Sequence, residues 1–195
     1  MDPLRPPSAR RLSSFVQVSL DGFYCGPNGD MSFAQKPPED TEWQAYVNGN
    51  ASGGGMLLFG RVTYDMMAAW WPTPEAAKVA PVVADRMNAM PKVVFSRTLT
   101  AADWINTTLV KGDLVESVAA LKREEGPEIA TLGSGSIVRQ LAAAGLVDTF
   151  QIGVVPVVLG SGKSLFAGVT RRLDLVLTSS RAFANGTVVL GYVPG

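Results

Sequence analysis

Histidine is absent from this 195-residue sequence, and cysteine occurs once, at Cys25. Without histidine the chain lacks the commonest general base at neutral pH and the commonest zinc ligand. Its serines have no imidazole to activate them in a Ser-His relay. Its scattered carboxylates form no spaced metal motif, so no metal site is expected. One cysteine makes neither an internal disulfide nor a thiolate cluster, so nothing calls for an oxidising compartment and a cytoplasmic location is expected. Excess charge is missing too. Seventeen Lys and Arg residues balance seventeen Asp and Glu residues, which leaves no broad positive field to hold a nucleic-acid backbone. Also lacking is the run of roughly 18 apolar residues that a membrane-spanning helix needs. The segment VDTFQIGVVPVVLG is interrupted by Asp148, Gln151, Gly153 and Pro156 and suits a buried strand with its turn. The opening MDPLRPPSARR has no apolar centre and does not read as a secretory signal. Residues 1–10 are expected to form a flexible tail and 11–195 a single domain.

What is present is an alternation of strand-like and helix-like segments, with 47% hydrophobic residues, enough for one substantial core. Strands are expected at 12–20, 56–59, 92–96, 105–110 and 128–132. Helices are expected at 39–50, closed by Gly53-Gly54-Gly55, and at 61–70, 75–90, 113–124 and 134–144. Pro81 is read as starting the main part of its helix, Asp113 as an N-cap with Glu116 as partner, and Gly145 as a stop. Strands at 147–155, 173–182 and 186–193 follow, with Asn185-Gly186 as the hairpin signal between the last two. This order predicts one open α/β sheet flanked by helices, mostly parallel, with an antiparallel edge.

Two segments share an apolar strand, a glycine and a polar helix start. The first is MLLF followed by Gly60, Arg61, Val62 and Thr63; the second is EIATL followed by Gly133, Ser134, Gly135 and Ser136. Helix beginnings present unpaired amides to an anion, and an arginine adds a charge-assisted fork. Glycines at 133 and 135 remove side chains that would hinder a diphosphate. Val138 departs from the GxGxxG fingerprint, and Gly160-Ser161-Gly162-Lys163-Ser164 has no convincing helix after it, so ATP hydrolysis is not the leading reading. Ser96 and Arg97 follow the KVVF strand, where an arginine can meet the extra phosphate of NADPH. Hydride transfer suits a chain poor in catalytic side chains, because the cofactor carries the difficult chemistry. Asp30 is a candidate to orient a polar substrate or water, with Glu39, Asp40 and Glu42 as alternatives. Phe23, Phe33, Trp43 and Tyr46 could form an aromatic wall.

These motifs resemble the dihydrofolate-reductase-like family that includes the reductase domain of bacterial riboflavin biosynthesis. The resemblance runs from Leu12 to Val193. It rests on Ser19-Leu20-Asp21-Gly22 with Gly26-Pro27-Asn28-Gly29-Asp30, on Leu58 to Asp65, on Lys92 to Arg97, on Gly133 to Ser136, and on the run from Gly145 through Gly162 to Phe166. It implies a three-layer fold with a mostly parallel central sheet and a C-terminal antiparallel hairpin. It also implies NADPH, a small heteroaromatic substrate (pterin-like or ribosylaminopyrimidine-like) and a homodimer. The alternative is a catalytically silent ligand-binding protein on the same fold. The zinc deaminase that commonly accompanies such reductases has no ligands available here.

Overall fold

The computed structural model describes residues 10–52 and 55–195. The expected tail, apart from Arg10, and the Gly53-Gly54 part of the first helix stop lie outside those residues. Arg10 itself is buried, and its Nε donates to the Pro127 carbonyl at 2.6 Å.

Among the described residues ten strands and six α-helices follow in order, with one 3-10 turn at Ser32–Ala34: β1 (Leu12–Ser19), β2 (Phe23–Cys25), α1 (Thr41–Ser52), β3 (Met56–Gly60), α2 (Arg61–Trp70), α3 (Pro74–Val79), α4 (Pro81–Ala89), β4 (Lys92–Phe95) and β5 (Thr107–Val110). Then come α5 (Leu114–Arg123), β6 (Ile129–Leu132), α6 (Gly135–Ala143), β7 (Thr149–Val155), β8 (Lys163–Ser164), β9 (Leu175–Ala182) and β10 (Val188–Pro194). Eight strands form one sheet in the order β5-β4-β3-β6-β1-β7-β10-β9. The pairs from β5 to β7 are parallel, and β10 pairs antiparallel with both β7 and β9. This is the expected three-layer α/β architecture with a C-terminal antiparallel hairpin.

Strand alternation sorts the side chains onto two faces. Leu12, Val16, Val18, Leu58 and Ile129 pack against Val118 of α5 and Ile137, Val138 and Leu141 of α6. Leu57, Phe59 and Val94 point the other way, toward Tyr64 of α2 and Val83 and Met87 of α4. On that second face Phe15, Trp43, Tyr46 and Phe183 make an aromatic cluster, with Trp43 and Phe183 ring centroids 5.0 Å apart. Burying each such side chain stabilises the fold by about 1.5–3 kcal/mol.

Local signals explain most boundaries. Asp113 Oδ1 accepts the Glu116 N–H at 3.0 Å and starts α5. Gly145 ends α6 in the left-handed region, at φ +70°. Residues 75–90 form two helices, because Pro74 and Pro81 each open one; a proline at a helix start gives up only an N–H that would go unused. A two-stranded sheet of β2 and β8, not foreseen from the sequence, lies apart from the main one. Among the described residues no helix is long and apolar enough to cross a membrane.

Candidate functional site

The strand order reverses direction between β3 and β6. The chain leaving β3 runs through α2 toward β4 on one side, whereas the chain leaving β6 runs through α6 to β7 on the other. Such a switch point leaves a crevice at the carboxyl ends of the strands, where ligands of open α/β sheets bind. The Gly60 and Gly133 junctions both fall there.

The two junctions touch. The Gly60 N–H donates to Ser134 Oγ at 2.9 Å. A Cβ on Gly60 would come within 3.1 Å of Ile137 Cγ1, a tight contact that would push the Ile137 side chain back by a few tenths of an ångström. Ser134 is left-handed at φ +55° and ψ +61°, a conformation that non-glycine residues adopt at a cost. Its hydroxyl serves the neighbouring strand and does not cap its own helix. Nor does any side chain cap α2. By contrast, Thr73 caps α3 and Asp113 caps α5, both away from the crevice. α4 also starts without a side-chain cap, at Pro81, but the uncapped beginnings at the crevice are those of α2 and α6.

Space differs between the two glycines of the second junction. Gly133, at φ +67°, has nothing within 4 Å of where a Cβ would lie. Over Gly135 that space is filled by Tyr24 of β2, whose Cε1 would be 2.5 Å from a Cβ. Burial raises the Tyr24 phenol above its ordinary value of 10.0. The Gly133 side of the junction is therefore open, while Tyr24 closes the Gly135 side.

The other expected cofactor residues lie nearby. Gly60 is level with Phe95 on β4, so Ser96 and Arg97 emerge at the same end of the sheet as Arg61. Ser96 Oγ accepts from the Thr98 and Leu99 amides at 3.2 and 3.0 Å, which turns the chain and leaves Arg97 exposed. Arg61 is exposed and pairs with Asp65 at 3.0 Å; such a surface pair is worth about 0–1 kcal/mol and yields readily to a phosphate. Thr63 is buried in α2, whereas Val62 stands 69% exposed at its first turn and offers an apolar rest for a ring.

The three candidate carboxylates are not gathered at this crevice. Asp30 accepts from the Ser32 N–H at 2.9 Å and the Ser32 hydroxyl at 3.0 Å, and these bonds hold its carboxyl below the usual 3.8. Asp40 caps α1 through the Trp43 N–H at 3.0 Å and accepts from Asn185 Nδ2 at 2.5 Å; the Asn185 bond is the main cause of its lowered pKa. Glu42 accepts from the Ala184 N–H at 2.9 Å and from Arg181 at 3.1 Å, and is likewise lowered. Asp40 and Glu42 fasten α1 to the β9–β10 hairpin. Of the proposed aromatic wall, Trp43 and Tyr46 belong to the cluster under α1.

In the sequence Asp21 shows only as part of a turn. It accepts from the Leu159 and Gly160 amides at 3.1 and 2.7 Å, so the SLDG turn grips the VVLGSG segment directly. The phrases Ser19 to Gly22 and Val157 to Gly162, distant in the chain, form one unit.

These features define a dihydrofolate-reductase-like α/β protein. A dihydrofolate reductase from Enterococcus faecalis, solved with NADP(H) and RAB-propyl, superimposes over 95% of this chain and 96% of its own with a TM-score of 0.59 at 14% identity. Within that class the chain belongs to the RibD C-terminal domain family, whose model matches residues 10–189. The uncharacterized protein YyaP of Bacillus subtilis (strain 168) is 31% identical over 94% of both chains. A putative riboflavin biosynthesis protein from Shewanella sp. PV-4 shares the fold at a TM-score of 0.73 and 22% identity, over 95% of this chain and 99% of that one.

Proposed function

We propose that the chain is an NADPH-dependent reductase that delivers hydride to a small heterocyclic substrate, pterin-like or ribosylaminopyrimidine-like, in the cytoplasm. One observation carries this reading: two helix beginnings without side-chain caps are joined by the Gly60–Ser134 bond at the point where strand order diverges. Amides at Arg61 to Thr63 and at Ser134 to Ser136 hold the diphosphate, Gly60 and Gly133 giving theirs to Ser134 Oγ and the Phe15 carbonyl and shaping the two turns, and Arg61, Ser96 and Arg97 hold the ribose phosphate. The bound cofactor supplies the hydride. Of the carboxylates, Asp30 bonds only within its own loop and is assigned to water-mediated proton delivery, while Asp40 and Glu42 set the substrate-side wall. The eight-residue edge strand β9, with Val176 and Leu177 each 53% exposed, supports the homodimer.

Titration with NADPH tests the reading at its first step, and absence of binding ends it. Replacing Arg61 and Arg97 together by Ala weakens NADPH by about tenfold or more while NADH loses little, the weight of one or two charge-assisted bonds. Equal losses for the two cofactors remove the proposed phosphate role. The engagement of all three carboxylates in local bonds favours a second reading, a ligand-binding protein without turnover. Steady, substrate-dependent loss of NADPH absorbance excludes it.

A further inference from the structure

A cavity of about 490 Å³ opens at the end of the sheet away from the crevice. It is walled where α6 ends at Ala144 and Gly145, where β7 begins after Val147, and where β9 and β10 meet at Leu175 and Pro194. β7 runs parallel to β1, and β1 to β6, so the first residues of β7 lie at the amino ends of the strands. Seven residues of β7, at about 3.3 Å each, separate the cavity from the level of the crevice. Small-molecule sites run from roughly 300 to 1,000 Å³, a range that contains this cavity.

The floor of the cavity is apolar. Val147 and Phe150 belong to the main hydrophobic core, and Leu173 and Leu175 pack against that core half-buried. The Phe150 ring is held edge-on by Phe166, with 6.4 Å between centroids. An open hollow floored by such side chains keeps apolar area in water that an apolar ligand would cover.

Two exposed arginines stand at the rim, and only one is spent. Arg172 donates Nε and Nη2 to Asp174 Oδ1 at 2.8 and 2.6 Å. Arg171 makes neither a hydrogen bond nor an ion pair among the described residues. Its Nη2 lies 3.5 Å from where a Cβ on Gly145 would stand, over the carbonyl end of α6. That end attracts a cation but is closed without one of its donors. The Leu146 N–H reaches the Leu141 carbonyl at 2.9 Å, the Gly145 N–H reaches the Ala142 carbonyl at 3.0 Å, and Lys122 takes the Leu146 carbonyl at 2.6 Å. The Arg171 fork therefore stands beside an apolar floor with its N–H groups unclaimed. Such a fork matches a carboxylate in shape and charge, and the floor matches a hydrocarbon or aromatic body. A cation finds no free counter-charge in Asp174, which Arg172 already holds.

We infer that this groove is a second ligand site, for a small amphiphilic carboxylate. The apolar body of the ligand rests on Val147, Phe150, Leu173 and Leu175, and its two oxygens take the Arg171 fork. The inference goes beyond the reductase reading and does not depend on it. Because the groove and the crevice lie at opposite ends of the strands, the carboxylate and a dinucleotide bind without excluding each other.

The test titrates the full chain calorimetrically with 2-naphthoate, with neutral 2-naphthamide of the same shape, and with acetate. Wild-type protein is expected to bind naphthoate, to bind naphthamide roughly tenfold more weakly, the weight of one charge-assisted bond, and to show no binding of acetate. Arg171→Gln brings naphthoate down to the affinity of naphthamide. It leaves naphthamide, NADPH affinity and the melting temperature unchanged, since the arginine has no partner to lose. Leu173→Ser weakens both naphthyl probes alike. Saturating NADPH leaves naphthoate affinity unchanged. Three results overturn the inference: no naphthoate binding by the wild type, equal affinity for naphthoate and naphthamide, or no effect of Arg171→Gln. Displacement of naphthoate by NADPH overturns it too, by returning the probe to the crevice. Sedimentation of the same variants covers the other occupant: a dimer that Leu173→Ser splits into monomers gives the groove to a second copy of the chain and overturns the small-molecule assignment. Failure of NADPH to bind would end the reductase reading and leave the naphthoate result standing.

Discussion

The two ends of the parallel strands use charge in opposite ways. At the amino ends Lys92 is buried and Lys122 half-buried, and both are occupied. Lys92 is 1% exposed and donates Nζ to the carbonyls of Met87, Asn88 and Met90 at 2.8, 3.1 and 2.7 Å, closing the C-terminus of α4. Lys122 bridges the Leu146 carbonyl at 2.6 Å and Asp148 at 2.7 Å, and Asp148 also accepts the Leu12 N–H. At the carboxyl ends Arg61 and Arg97 are exposed, and the helix amides lack side-chain caps. A cation that satisfies backbone carbonyls holds the fold together, and one left in solvent beside uncapped amides is available to a ligand. Counting arginines and lysines in the sequence does not separate the two kinds; burial does.

The contrast predicts a graded series. Lys92→Met should have the largest effect, about 2–3 kcal/mol of lost stability in urea denaturation, because the buried carbonyls of α4 lose their donors. Burial pushes Lys92 down from 10.5 to about 8. Between those values the unfolded chain holds the proton and the folded chain does not, so stability relative to the Met variant should rise with pH across that window. A flat difference would mean that the three carbonyls fully offset the burial.

Gly135→Ala comes next. Its Cβ would overlap the Tyr24 ring, and about 1–3 kcal/mol should be lost. The double variant with Tyr24→Ala should recover part of that loss; no recovery would show that the ring is not the obstacle.

A smaller effect is expected at the hairpin. Asp40 and Glu42 have lowered folded pKa values, so their contribution is present above the unfolded values of 3.8 and 4.5 and is lost as pH falls toward the folded ones. Below pH 4.5 the wild type should therefore lose stability more steeply than Glu42→Gln. Smallest of all, Arg61→Ala with Arg97→Ala should move stability by no more than about 0.5 kcal/mol. A larger change would erase the distinction between the two ends.

The fold was legible because its signals are local. Apolar runs such as MLLF and KVVF, the Asp113 cap, the Gly145 stop and the Asn185-Gly186 turn each act within a few residues. The β2–β8 sheet gave no such signal, since Lys163–Ser164 is too short to show alternation. The site was half legible. Glycines after strands marked both junctions, but the Ser134 bond to Gly60 spans 74 residues and depends on β3 and β6 being neighbours. Tyr24 over Gly135 and Arg181 on Glu42 are likewise tertiary meetings without a sequence pattern. The carboxylates were singled out by residue type; their partners in the hairpin emerge only on folding.

The position of β1 has a consequence for biosynthesis. Its neighbours in the sheet are β6 and β7, so Leu12 waits for Ile129 and Ser19 for Val155. During translation β1 therefore leaves the ribosome with both edges bare, and its pairing is complete only once Val155 has followed. The centre of the sheet is thus the part whose closure waits longest on the order in which the strands are made.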